Sequence, residues 1–189
     1  MRWQQLFADL QAEFEEAEAA EERAQLPARS RAEFGALRLA DRLGGAVGGR
    51  VSLRCRGAGE MAGVLTDLGP DWVLLDDGSG REVLVALRSV VAVSGLVRTT
   101  VSAEPASAVR AALDLRRALR GLARDRSAVT VVLDDGGVLT GTVDRVGADF
   151  VELAEHAADD FRRAGSVRGV RAVGLSAVAV VRTLAPGAA

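Results

Sequence analysis

The strongest constraint on this chain is a repeat written inside it. Residues 51–75 align without a gap to 129–153, and seven of the 25 positions are identical. The identities are Val51/Val129, Gly59/Gly137, Gly63/Gly141, Gly69/Gly147, Asp71/Asp149, Val73/Val151 and Leu75/Leu153. The match resumes when residues 85–93 are set against 173–181, with ten extra residues in the second copy before that point. Two collinear blocks mark a duplication. Whatever this chain folds into, it must contain one unit twice.

Each copy reads as five short strands. Residues 51–54 and 129–133 alternate and are rich in β-formers. Glycine-rich turns follow them. The second strand carries Gly63 or Gly141, and a glycine inside a strand marks a bend or bulge. Gly69-Pro70-Asp71 and Gly147-Ala148-Asp149 are turns into a third strand, 72–75 or 150–153. A fourth strand approaches Leu87 or Leu175, and a fifth covers 90–93 or 178–181. Short, evenly spaced strands with glycine corners predict a small barrel. Apolar positions at helical spacing predict a helix before each copy, over 35–47 and 106–124. Gly44-Gly45-Ala46-Val47-Gly48-Gly49 lacks a phosphate-loop lysine and reads as a helix stop.

Composition narrows the function classes. The chain is 49% hydrophobic and 26% charged, a globular balance. It has no lysine, asparagine, isoleucine or tyrosine, which points to a GC-rich bacterial genome. No apolar run reaches the roughly 18–20 residues of a membrane span, and the N-terminus has no secretory pattern. With one cysteine, Cys55, no internal disulfide can form, so a cytoplasmic setting is expected. The single histidine, His156, argues against multi-histidine metal sites and catalytic triads. No cofactor, metal or enzymatic activity is expected.

The strands and motifs resemble the Sm-like superfamily, whose topology the SH3-like barrels share. The resemblance covers both repeats and rests on Gly63 with Asp71-Trp72-Val73-Leu74-Leu75, and on Gly141 with Asp149-Phe150-Val151-Glu152-Leu153. It extends to proteins of GC-rich actinobacteria. Where that family places an asparagine against an RNA base, this chain has Leu74 and Glu152. The second motif would fall at Leu87-Arg88-Ser89-Val90 and Leu175-Ser176-Ala177-Val178, where only Arg88 keeps a cation. The resemblance therefore implies the fold more than the RNA chemistry. It also implies assembly through edge strands, either as an internal pseudo-dimer or as part of a ring of several chains.

The expected fold is α+β, with two small five-stranded Sm-like or SH3-like barrels, each preceded by a helix. An acidic amphipathic helical arm covers 1–28, the first helix and barrel 29–98, and the second 99–185 with its ten-residue loop insertion. The arm presents Trp3, Leu6, Phe7, Leu10 and Phe14 on one face, suited to a partner helix or to docking on its own chain. Arg110, Arg117, Arg120 and Arg124 form a stripe on the second helix that suits phosphate, an acidic partner or plain solvation. The repeat-2 loop sets Phe161 among Arg162, Arg163, Arg168 and Arg171, a pattern that suits stacking on nucleic acid or a mobile surface loop. Two functions follow as expectations: a cytoplasmic interaction or scaffold protein that binds a protein partner or itself, or an RNA- or DNA-binding regulator.

Overall fold

The computed structural model describes Phe7, Gln11, residues 13–16, Glu18, Arg31, Ala32, and residues 34–96, 112–157 and 168–184. The chain divides into two units, residues 1–38 and 39–189. In the first unit, the described residues of 7–18 and 31–36 are helical.

The second unit is built on ten strands. After helix α1 (Leu39–Gly44) come β1 (Arg50–Cys55), β2 (Gly59–Leu68), β3 (Trp72–Asp76), β4 (Glu82–Ala86) and β5 (Val90–Ser94). Helix α2 (Leu115–Asp125) then leads into β6 (Ala128–Leu133), β7 (Val138–Val146), β8 (Phe150–Glu155), β9 (Gly169–Gly174) and β10 (Val178–Thr183). Short 3-10 turns, Leu87–Ser89 and Leu175–Ala177, separate the fourth and fifth strand of each copy.

Two separate barrels, each preceded by a helix, do not form. The strands make one ten-stranded antiparallel sheet in the order β5-β1-β2-β3-β4-β10-β6-β7-β8-β9. The reason is the partner of β4. It pairs with β10 of the other copy, with Val85 opposite Val180, Leu84 opposite Val181 and Val83 opposite Arg182. Hydrophobic alternation reveals a strand but not its neighbour, so the pattern could not locate this joint.

The joint is buried on both faces, and strands of that kind read as unbroken apolar runs. Val83 and Val85 enter one core, together with Ala179 and Val180 of the other copy. Leu84 and Ala86 enter the second, together with Val178 and Val181. Burying a valine or leucine contributes about 1.5–3 kcal/mol, against about 1 kcal/mol net for a ladder hydrogen bond. Apolar burial therefore dominates the joint, and neither copy owns a complete core.

The helices close the two cores. Leu43 of α1 is buried in the first, and Leu115 and Leu119 of α2 in the second. The helix expected over 106–124 is observed from Leu115, because Asp114 caps it there by accepting the Arg117 N–H at 2.8 Å. Asp71, from the first copy, accepts the Leu115 N–H at 2.7 Å. The proposed start at Ser102–Pro105 lies outside the described residues.

The repeat's glycines have steric causes. A Cβ on Gly63 would stand 2.4 Å from the Asp76 carbonyl oxygen, and one on Gly141 2.1 Å from that of Ala154. Each bent strand also carries a register shift in its pairing with the next, between Leu65 and Asp67 and between Val143 and Arg145. Gly141→Ala should lower stability by about 1–3 kcal/mol, read as a lower urea midpoint at unchanged m-value.

Candidate functional site

The duplication supplies its own comparison. If β4 meets β10 inside the chain, the equivalent strands β9 and β5 are the two ends of the sheet. Their residues match those of the joint one for one. Val180, fully buried, corresponds to Ala92, which is exposed. Leu84, buried, corresponds to exposed Ala172. Val91 is 61% exposed on β5, and Val170 59% exposed on β9. Among the described residues no strand pairs with the outer edge of β5 or β9, and an open edge with apolar side chains is a template for another strand.

Polar contacts hold the internal joint in one register. The Arg88 side chain reaches across it and donates to the carbonyls of Ser176 at 3.0 Å, Val178 at 2.9 Å and Leu175. The Ser89 hydroxyl, itself buried, lies 2.7 Å from the Ala86 carbonyl and 3.2 Å from that of Ala179. Burial holds the Arg88 guanidinium below its ordinary value, and the carboxylates of Asp71 and Asp134 oppose that shift. Thr183 adds a contact at the far end, accepting the Glu82 N–H at 3.2 Å. Trp72 ties the first copy to the chain entering α2, its indole N–H donating to the Leu113 carbonyl at 2.7 Å.

The other expected residues fall elsewhere. Arg117, Arg120 and Arg124 are exposed on α2. Arg116 sits apart from them in an ion pair with Asp114 at 3.7 Å. Arg171 is engaged with Glu155 at 2.8 Å, and the Arg168 N–H donates to the Glu155 carbonyl. Phe7 and Phe14 are 64% and 67% exposed. Trp3, Leu6, Leu10, Arg110, Phe161, Arg162 and Arg163 lie outside the described residues. Leu74 lines a small apolar groove with Trp72, Ala118 and Leu122, and Glu152 lies 4.0 Å from Arg145. A larger cleft of about 470 Å³ is edged by Asp67, Asp76, Arg81 and Glu82.

The two side chains most able to do chemistry are occupied. A carbonyl can only accept, so His156 Nδ1 donates to Ala157 O at 2.8 Å. Nε2 then meets the Thr142 hydroxyl at 2.8 Å. His156 is buried with both ring nitrogens engaged. Cys55 is buried in the first core. Among the described residues, no cluster of three or more His, Cys, Asp or Glu could hold a metal ion, and no helix is long and apolar enough to cross a membrane.

Arg88 and Ser89 are the joint residues that strand reading missed. Their acceptors across the joint are backbone carbonyls 87 to 90 positions away, which leave no mark in a sequence. A signal was still present: the aligned positions of the second copy read Ser176 and Ala177.

No protein-family model, curated protein or solved structure matches the chain.

Arg88→Ala should lower stability by about 1.5–3 kcal/mol, since a hydrogen bond from a charged donor contributes about that much. It should also speed amide exchange at β4 and β10 ahead of β7 and β8. Burial pushes the Cys55 thiol above its ordinary 9.0, against a smaller lowering by the Ser89 hydrogen bond. As pH rises past 9.0, the unfolded chain releases this proton while the folded chain keeps it, so stability falls. Unfolding titrations from pH 8 to pH 10.5 should show that loss, and Cys55→Ala should flatten it.

Proposed function

We propose that this chain is a non-enzymatic interaction protein that associates through its two bare sheet edges, β5 and β9, with further copies of itself as the first partner. One observation carries the reading. The internal joint unites a fourth strand with a fifth strand, and the remaining fifth and fourth strands, the sheet ends among the described residues, expose Val91 and Ala92 on β5 and Val170 and Ala172 on β9. The surface that one end offers is the surface that the other end is shaped to take. Such a head-to-tail contact closes into a ring or runs on as a filament, according to its rotation. The resemblance to Sm-like proteins supports the same mode of assembly. The engaged ring of His156 and the burial of Cys55 support a non-enzymatic reading, and a single free thiol suits the reducing cytoplasm.

Light scattering over a concentration series tests this. The wild-type mass should rise with concentration. Ala92→Glu and Ala172→Glu should each hold the protein at one chain without unfolding it, because each puts a charge where the internal joint buries an apolar group. A mass fixed at one chain up to millimolar concentration would refute the reading.

A second reading rests on Arg117, Arg120 and Arg124, exposed together on α2: binding of RNA or DNA phosphates. It predicts filter binding whose log K falls with log salt at a slope of about −2 to −3 for three contacts. No retention at low salt would sink it.

A further inference from the structure

The two kinds of joint differ in chemistry as well as in whether they are made. Inside the chain, the turn after β4 supplies donors, the Arg88 guanidinium and the Ser89 hydroxyl. The carbonyls of Leu175, Ser176 and Val178 accept from the guanidinium, and the hydroxyl lies 3.2 Å from the Ala179 carbonyl beside its 2.7 Å contact with Ala86 of its own copy. In a joint between chains, the turn after β9 of one copy would face the turn before β5 of the next. The acceptors would then be the carbonyls of Leu87, Arg88, Val90 and Val91. The donor positions are filled by Ser176 and Ala177.

A serine side chain stops about three bonds short of a guanidinium's reach, and alanine donates nothing. The apolar complement is thinner too. Ala92 stands for Val180, Ala172 for Leu84, Gly174 for Ala86 and Arg171 for Val83. Every one of these changes removes contact area or adds charge. In the single chain β5 and β9 are the outer strands, and of these residues Arg171 makes an ion pair there, with Glu155.

We propose that Arg88 and Ser89 form a lock that makes the joint within the chain permanent, and that Ser176 and Ala177 leave the joint between chains unlocked. Association between copies is therefore weak and reversible. The affinity of one copy for the next is set at residues 176 and 177. This rests on the edge-pairing reading above and names the residues that govern it.

Sedimentation velocity on the full chain, over a concentration series, is the test. Ser176→Arg restores the missing donor opposite the next copy's carbonyls. It should tighten self-association tenfold or more, and Ser176→Arg with Ala177→Ser should tighten it further. Ser176→Lys should gain less, because an ammonium lacks the planar fork that spans several carbonyls. Adding Ala92→Glu to the arginine variant should abolish the gain, since that residue lies on the receiving edge. If the wild type associates and Ser176→Arg leaves its dissociation constant unchanged, the lock is wrong while edge pairing stands. A gain that survives Ala92→Glu also overturns the lock, because the new arginine then acts elsewhere. If neither the wild type nor Ser176→Arg exceeds one chain, edge pairing fails and the lock fails with it.

Discussion

The pairing of β4 with β10 is the contact on which everything else in the second unit depends. It joins two five-strand sets into one sheet and places alternate side chains in two cores. A register shift lies between Val178 and Val180, where β10 runs beside β6. It accounts for Ala179 and Val180 entering the same core although they are neighbours. Remove the joint and four apolar side chains on each strand lose their cover. Each copy would then present a face that its own 60–80 residues cannot bury, the condition under which small domains become marginal.

Much of the strand pattern was legible in the residues. Strands β1, β3 and β5 and their counterparts β6, β8 and β10 overlap the segments read as strands, whereas β9 takes in Arg171, which the sequence pattern puts in the repeat-2 loop. Gly69 and Gly147 sit where a Cβ would strike the ring of Trp72 or Phe150, which is why both copies keep glycine before their aromatic. The carbonyls of Asp71 and Asp149 accept the N–H of Leu87 and Leu175 in the same way. These constraints are local or nearly so, and they act twice, so the alignment exposed them.

What stayed hidden was which strand meets which, and what an arginine donates to. Arg88 stood out only as the one cation left in a motif, a residue for a phosphate or base. Its actual acceptors are backbone oxygens of the other copy. Backbone acceptors exist at every position, so they select no residue type that a reader could find. The helices show the same division. The apolar positions of α2 marked its buried face correctly at Leu115 and Leu119. Its start was set by Asp114 and by Asp71, a residue 44 positions upstream.

The order of synthesis gives the joint a further meaning. Val178, where β10 begins, lies 90 residues after Arg88, in the turn that follows β4. At about 5–20 residues per second, a ribosome needs roughly 5–20 s to cover that distance. Throughout that interval the first copy has β4 paired with β3 alone, its other edge open and its apolar side chains short of their cover from β10. β10 is the last of the ten described strands to be made, so the middle of the sheet closes only after the other nine have been synthesised. A nascent neighbour carrying β10 could fill the vacancy first, which makes exchange of that strand between chains the characteristic misassembly of this architecture.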